Sequence, residues 1–540
     1  MVQKNIKKIT SRYENALLKL KQGKLTEKQA LKNIKPTEFL KLLQPQLAFT
    51  KSPSTSVAGV AVSPGLAVGK TSFTAKTKDK FILIKEKITQ RDYLAIKKAE
   101  GIIVIRGGAT SPGILMARSL GVPVIVIGDS RGFVDKINNR LVVGKKVINQ
   151  GETVAVDGYQ GKLTVGEAKI FKPIFELTAS RIIKLINKFG QNNILSFIPS
   201  VEQAAAVNKK GFGLAIRSED LVATVPKMLE LFQNYILTTD KKNKKVYLKK
   251  LTELQVKQYS EIFQSNKNQP IIIRLFDPPF SEFFPSVEDL FIDLLKFKEL
   301  LSKTNNPTEQ SLIERKIKET ERLLSQVRSF NEDNKMLGHR GCRFAITHPD
   351  LYQSQVAAIF QALAKTIKKK IKCCPNISIP MVIDPQEVNI IKKLIKKEEA
   401  AVEKQYKVKL TYKLGVAIET PRAVALAEQL AVEVDFFSFG TNDLTQLVMG
   451  ISRTDYNSFL PQYKKQRILK NNPFDNIDPV VADLIIQAVE AAIKKNDRIF
   501  FFNAIKDFRE ARMVDRILKH RGYIVCHPSL APIIKLSLLQ

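Results

Sequence analysis

The sequence predicts an α/β protein: a C-terminal (β/α)8 barrel preceded by a small strand-rich α/β domain and a short helical N-terminal segment. Three observations predict it. Between residues 194 and 528, eight short apolar strands alternate with long amphipathic helical stretches, the pattern of a parallel barrel. From Val60 to about Lys172 the apolar runs are short and closely spaced, with room for only one or two helices. In the first 50 residues the apolar positions recur at helical spacing.

In order, ENALLKLKQGKLTEKQALKNIKPTEFLKLL reads as short helices, with Pro36 opening a new turn. KSPSTSVAG, residues 51–59, is rich in Ser, Pro and Gly and reads as a linker. The strands VAVSPGLAVGK, KFILIKE, GIIVIRG, VPVIVIGD, TVAVDG and KLTVG make up the small domain. Expected boundaries are 1–55 for the helical segment, 56–172 for the small domain and 173–540 for the barrel. The barrel strands are ILSFIP, GFGLAIRS, IIIRLFD, ISIPMVI, LGVAIE, DFFSFG, RIFFFN and YIVCHP. A charged stretch, 286–332, interrupts the barrel and reads as a solvated helical hairpin.

Composition narrows the class. A chain of 540 residues exceeds one ordinary domain, and its 44% hydrophobic content fits globular packing. It contains no run of 18 apolar residues and no secretory leader pattern, so neither a membrane span nor export is expected. Four cysteines, two of them adjacent at Cys373 and Cys374, suit reduced thiols in a cytoplasmic protein. The formal charge of +35 could attract nucleic acid, but 65 of the 87 basic residues are Lys, scattered in short runs such as KKNKK. Arg clusters interleaved with aromatics are absent. A general Lys bias is the simpler reading.

Two places carry chemistry. GGATSPG, residues 107–113, is a glycine turn with N-cap residues Thr110 and Ser111 and Pro112 at the first helical position. Such a turn aims free N–H groups at one spot, which suits a phosphate. The second place is the carboxyl end of the barrel, where active sites of this architecture lie. There strand two ends in Arg217 and Glu219, strand three in Arg274 and Asp277, and strand five in Glu419. Strand six runs into GTND with Asn442 and Asp443, followed by Arg453, and the loop MLGHRGCR adds His339 and Arg340. Carboxylates and an amide suit Mg²⁺, and arginines suit a carboxylate or phosphate ligand. His339 reads as a structural loop residue.

These segments resemble the pyruvate, phosphate dikinase family, with its relatives the phosphoenolpyruvate synthases and enzyme I of the sugar phosphotransferase system. MLGHRGCRFAITHPDLYQSQVAAIFQA, RLFDPPFSEFFP and FFSFGTNDLTQLVMGISRTD carry the resemblance most specifically, and it extends over nearly the whole chain. It implies a swivelling domain that carries a phosphohistidine to a phosphoenolpyruvate/pyruvate barrel. It also implies an N-terminal ATP-grasp domain that this chain lacks. Arg217, Arg274, Arg340, Gly440, Thr441, Asn442 and Arg453 match substrate contacts, and Glu419 and Asp443 match Mg²⁺ ligands. A homodimer, or a mixed dimer with a true dikinase, is implied as well. Thr110 falls where some members are regulated by phosphorylation.

Two departures stand against this pattern. The family's swivelling-domain motif resembles GGxTSH, and here Pro112 takes the place of the histidine. All four histidines lie beyond residue 338, and proline offers no side-chain nucleophile. Strand seven resembles a family CGE segment whose cysteine is the acid; counting back from YIVCHP puts that position at Asn503, which has no usable proton. The expectation is a catalytically inactive member, a regulatory or non-catalytic subunit that keeps a Mg²⁺–phosphoenolpyruvate or pyruvate-like site. The alternatives are a lyase or decarboxylase acting on an enolate, with Cys526 or His527 as replacement acid, and a basic structural or nucleic-acid-binding protein.

Overall fold

The computed structural model describes residues 2–50, 55–74, 80–89, 92–107, 112–128, 131–171, 176–189, 193–266, 268–453, 456 and 459–540. The chain opens with helices Val2–Lys21, Glu27–Lys32 and Pro36–Leu43. Thr26 and Gln29 cap the second of these reciprocally, and Pro36 starts the third. Their apolar faces (Ile9, Tyr13, Phe39) bury against Ile182 and Ile186 of helix Glu176–Phe189 and Ile533 and Leu536 of the C-terminal helix Ala531–Leu539. The N-terminal helices are therefore seated on the barrel.

The small domain differs from expectation in three details. Gln46–Phe49, inside the segment expected to be helical, is a strand antiparallel to Ala168–Phe171. Thr55–Ala58, inside the expected linker, pairs with Lys162–Val165, while 51–54 lie outside the described residues. A three-stranded antiparallel sheet, Gly132–Asp135, Arg140–Val143 and Lys146–Asn149, was not anticipated at all. The first two strands owe their state to partners more than a hundred residues away, which local periodicity does not register.

The central sheet has eight strands, with VAVSPGLAVGK split at Pro64–Gly65 into Val60–Ser63 and Leu66–Ser72. Helices Tyr93–Lys98 and Pro112–Ser119 cover one face through Ile96, Ile114 and Ala117. The three-stranded sheet covers the other through Leu141 and Ile148. A helix does begin at Pro112, as the GGATSPG turn suggested; Thr110 and Ser111 lie outside the described residues.

The barrel is closed and parallel, with every strand paired to its sequence neighbours and the eighth to the first. Its strands are Ile194–Ile198, Gly213–Arg217, Ile271–Arg274, Pro375–Ile379, Lys413–Ile418, Phe436–Phe439, Phe500–Ala504 and Gly522–Cys526. These are the eight anticipated segments. Side chains alternate along each strand: Leu195, Ala215, Ile272, Phe436, Phe502 and Val525 fill the lumen. Leu214, Ile273, Phe437, Phe501 and Ile524 pack outward against the helices. Aromatic rings close the lower lumen, Phe502 stacking on Tyr523 at 4.8 Å and meeting Phe436 edge-on at 5.1 Å. The insertion forms helices Val287–Lys303 and Pro307–Ser329, which fold on each other through Leu290, Leu294, Ile317 and Leu324.

The small domain stands over the carboxyl ends of the barrel strands. Helix Pro112–Ser119 packs on helix Ser218–Ala223, which follows strand two. Lys87 pairs with Asp289 and donates to Ser286 Oγ at 3.0 Å. All four cysteines are free thiols. Among the described residues no helix is long and apolar enough to cross a membrane.

Candidate functional site

A cavity of ≈ 160 Å³ opens at the carboxyl ends of the barrel strands, where the alternation of each strand delivers its last inward side chain. It is lined by every substrate-binding residue expected from the sequence: Arg217, Arg274, Arg340, Glu419, Gly440, Thr441, Asn442, Asp443 and Arg453. Glu219, Asp220, Asp277 and Glu282 complete its charged wall.

Arg340 is the hub. Its Nε donates to Asp277 Oδ1 at 3.0 Å and its Nη2 to Asp277 Oδ2 at 2.5 Å. Its Nη1 donates to Asp443 Oδ1 at 3.0 Å. The loop that carries it is held by Gly341, whose φ of +61° and close approach to Met381 Cβ (2.7 Å from a built Cβ) leave no place for a side chain. Tyr352, fully buried, donates to Gly341 O and Phe276 O and so fixes this loop to strand three.

Arg274 forms the second node, pairing with Asp277 at 2.9 Å and with Glu219. Arg453 reaches Asp443 at 3.4 Å. Arg217 lies over the Phe197 ring, 4.9 Å from its centroid. Lys506, which sequence reasoning missed, donates to Asn442 Oδ1 at 2.9 Å and lines up the GTND turn.

The carboxylates are not equivalent. Burial alone would raise the Asp277 carboxyl, but Arg274 and Arg340 outweigh it and hold it at about 2. Glu419 is pushed up to about 7, first by burial and then by the charges of Asp277 and Asp443. Its Oε2 accepts from the Met381 N–H at 2.9 Å, while its Oε1 has Arg274 only at 3.9 Å. Gly440 is obligatory beside it, because a Cβ there would stand 2.3 Å from Glu419 Oε1. Glu282 is also pushed up to about 7, chiefly by burial.

Two sequence expectations fall elsewhere. Asn503 does not line the cavity: strand alternation turns Phe501 and Ile505 outward with it, and Phe502 and Ala504 form the wall. Its amide donates to Ala504 O at 3.3 Å, and its buried Oδ1 has no partner among the described residues. Neither suggested replacement acid lines the cavity. Cys526 is buried, with its thiol donating to Leu195 O, and His527 Nδ1 is 2.8 Å from Ser529 Oγ. His339 contacts Thr347 Oγ1 at 2.6 Å and is likewise outside the lining. Glu282 and Asp220 are lining residues that sequence reasoning passed over. The signal for Glu282 was its place between Phe280 and Phe283, both of which must be buried.

A closed parallel barrel thus carries a guanidinium–carboxylate rim above an aromatic floor. Residues 187–501 match the PEP-binding domain of PEP-utilising enzymes, and residues 77–161 match the mobile domain of the same enzymes. The chain belongs to the PEP-utilising enzyme family. It is 31% identical to a pyruvate, phosphate dikinase of Rickettsia conorii over 97% of this chain and 59% of that protein. It is 32% identical to one of Entamoeba histolytica over 87% and 53%, and 30% identical to a chloroplastic one of Arabidopsis thaliana over 96% and 53%. The chain thus spans little more than half the length of these relatives. Among solved structures, a citrate lyase from Burkholderia xenovorans matches 65% of this chain and 78% of its own with a TM-score of 0.33 and 12% identity.

Proposed function

We propose that the barrel binds phosphoenolpyruvate or a pyruvate-like 2-oxo acid together with Mg²⁺, and that the chain does not itself carry a phosphoryl group. The observation that carries the cation is charge balance at the cavity wall. Six carboxylates (Glu219, Asp220, Asp277, Glu282, Glu419, Asp443) face four guanidinium groups (Arg217, Arg274, Arg340, Arg453). Burial and neighbouring carboxylates hold Glu419 at about 7, so a cation beside it would favour its ionised form and offset the charge of an anionic ligand. Among the described residues no three His, Cys, Asp or Glu side chains are clustered as a metal site. Mg²⁺ asks for less: one or two carboxylates, with the remaining positions left to ligand oxygens and water.

Glu419 and Asp443 are the residues that would hold it. Glu419 fits because its Oε1 is buried and has no guanidinium in hydrogen-bond range. When bound, Mg²⁺ would supply Lewis-acid stabilisation of an enolate or carbonyl oxygen. Arg340 and Arg274 keep Asp277 ionised and fix the rim, while Arg217 and Arg453 remain the less encumbered donors for a carboxylate or phosphate. That no phosphoryl group is carried rests on Pro112 standing where related chains place the carrier histidine. The role we infer for such a chain is regulatory, as a homodimer, or that of a non-catalytic subunit in a mixed dimer with an active dikinase.

Calorimetric titration tests this. Phosphoenolpyruvate should bind the parent only when Mg²⁺ is present, and Glu419→Ala with Asp443→Ala should abolish that heat. A parent with no Mg²⁺-dependent heat refutes the site.

A further inference from the structure

We propose that Lys506 is a positioning residue that turns the Asn442 amide so that its NH2 group, and not its oxygen, is offered to the ligand; this rests on the binding reading above.

Lys506 lies two residues beyond the end of strand Phe500–Ala504, and Asn442 is the second residue of helix Thr441–Met449. They are 64 residues apart in the chain and joined by one hydrogen bond, from Lys506 Nζ to Asn442 Oδ1 at 2.9 Å. Asn442 lines the cavity and Lys506 stands outside the lining. The lysine is itself fixed. Its Nζ also donates to Phe474 O, and the Phe474 N–H donates to Asn472 Oδ1 at 3.1 Å. Asn472 Nδ2 in turn donates to Asp475 Oδ1 at 2.9 Å and to the Tyr456 hydroxyl oxygen at 3.1 Å, and the Tyr456 ring meets that of Phe474 at 5.3 Å. The ammonium is thus anchored by a turn that contributes nothing to the cavity wall.

The chemistry of the donor decides which way the amide faces. An ammonium has three N–H donors and no acceptor, so only the oxygen of an amide can stand opposite it. Oδ1 and Nδ2 diverge from one carbon, so the NH2 of Asn442 points away from Lys506. Among the described residues no protein acceptor meets it. On the cavity side such a group serves an oxygen that accepts, as a carboxylate or phosphate oxygen of an anionic ligand does. The same bond keeps Asn442 from holding the cation, because the ammonium 2.9 Å from Oδ1 repels a second positive charge brought to that oxygen. A cavity-wall asparagine beside carboxylates otherwise suits either role, oxygen ligand to Mg²⁺ or donor to an anion. Lys506 selects the donor.

Calorimetric titration of the full chain with phosphoenolpyruvate, across a range of Mg²⁺ concentrations, tests this. Lys506→Met should weaken binding about tenfold, and Lys506→Arg, which keeps a charged donor, should lose less than about threefold. Asn442→Ala should also lose about tenfold, and adding Lys506→Met to it should cost nothing more, because the lysine acts through the amide. Asn442→Asp preserves the shape of the side chain and reads the orientation directly. It places an anionic oxygen where the NH2 stood, so it should bind phosphoenolpyruvate more weakly than Asn442→Ala at every Mg²⁺ concentration. An oxygen turned to the cation would give the reverse, with Asn442→Asp tightening Mg²⁺-dependent binding. That reverse, or losses that simply add in the Lys506→Met, Asn442→Ala double variant, overturns the role of Lys506 and leaves the site standing. A parent that binds no phosphoenolpyruvate in the presence of Mg²⁺ removes the site and this role together.

Discussion

Asp277, at the end of strand three, and Arg340, on a loop 63 residues later, form a two-pronged pair with contacts of 3.0 and 2.5 Å, both side chains buried. The same guanidinium continues to Asp443, so one residue joins the third and sixth strand ends across the cavity mouth. A planar fork is required for that bridge.

Removing this guanidinium leaves two buried carboxylates without compensation. Arg340→Ala should destabilise the protein by about 3–5 kcal/mol, and Arg340→Lys should recover only part of it. Denaturant melts decide the matter; a loss below about 1 kcal/mol would mean the pair is solvated in solution.

Gly440→Ala tests the tight seat of Glu419. The new Cβ meets Glu419 Oε1 and Cγ at 2.3 Å, so the carboxylate must move. The expected cost is about 1–3 kcal/mol, with Mg²⁺-dependent heat of phosphoenolpyruvate binding lost. Unchanged binding would show that Glu419 is not needed where it stands.

His527 gives a pH prediction with a definite sign. Burial, aided by Arg118, lowers it from 6.5 to about 4, so the unfolded chain binds the extra proton first. Its neutral form therefore contributes stability that is fully present above 6.5 and is lost as pH falls toward 4. Between pH 7 and 5.5 the parent should lose about 1 kcal/mol from this group, and His527→Asn should flatten that part of the profile. Parallel profiles for the two proteins would discard the assignment.

Incubation with radiolabelled phosphoenolpyruvate should leave no acid-labile phosphoryl group on the chain, because Pro112 has no nucleophilic atom. Stoichiometric acid-labile label mapped to any histidine would defeat that expectation.

The barrel was legible because each of its strands is a continuous apolar run, buried on both faces and separated by long helices. Gln46–Phe49 and the 132–149 sheet were not, since their four-residue strands are half exposed and depend on pairing rather than pattern. The charged strand ends and the MLGHRGCR loop named most of the charged side chains of the cavity wall. What they could not convey was pairing: that Asp277 is shared by Arg274 and Arg340 depends on loops folding back from far along the chain. Nor does a count along strand seven reveal that Asn503 turns away and Ala504 faces the cavity.

The rings of Phe436, Phe502 and Tyr523, one pair edge-on and one stacked, have a consequence for the cavity above them. These side chains fill the lumen below the cavity, so the barrel is a packed core there and not a pore. At the strand ends above it, Lys87 of the small domain pairs with Asp289 and donates to Ser286 of the barrel insertion. Ligands that need the same guanidinium groups at the cavity's mouth therefore exclude one another, with no second binding space further down the lumen.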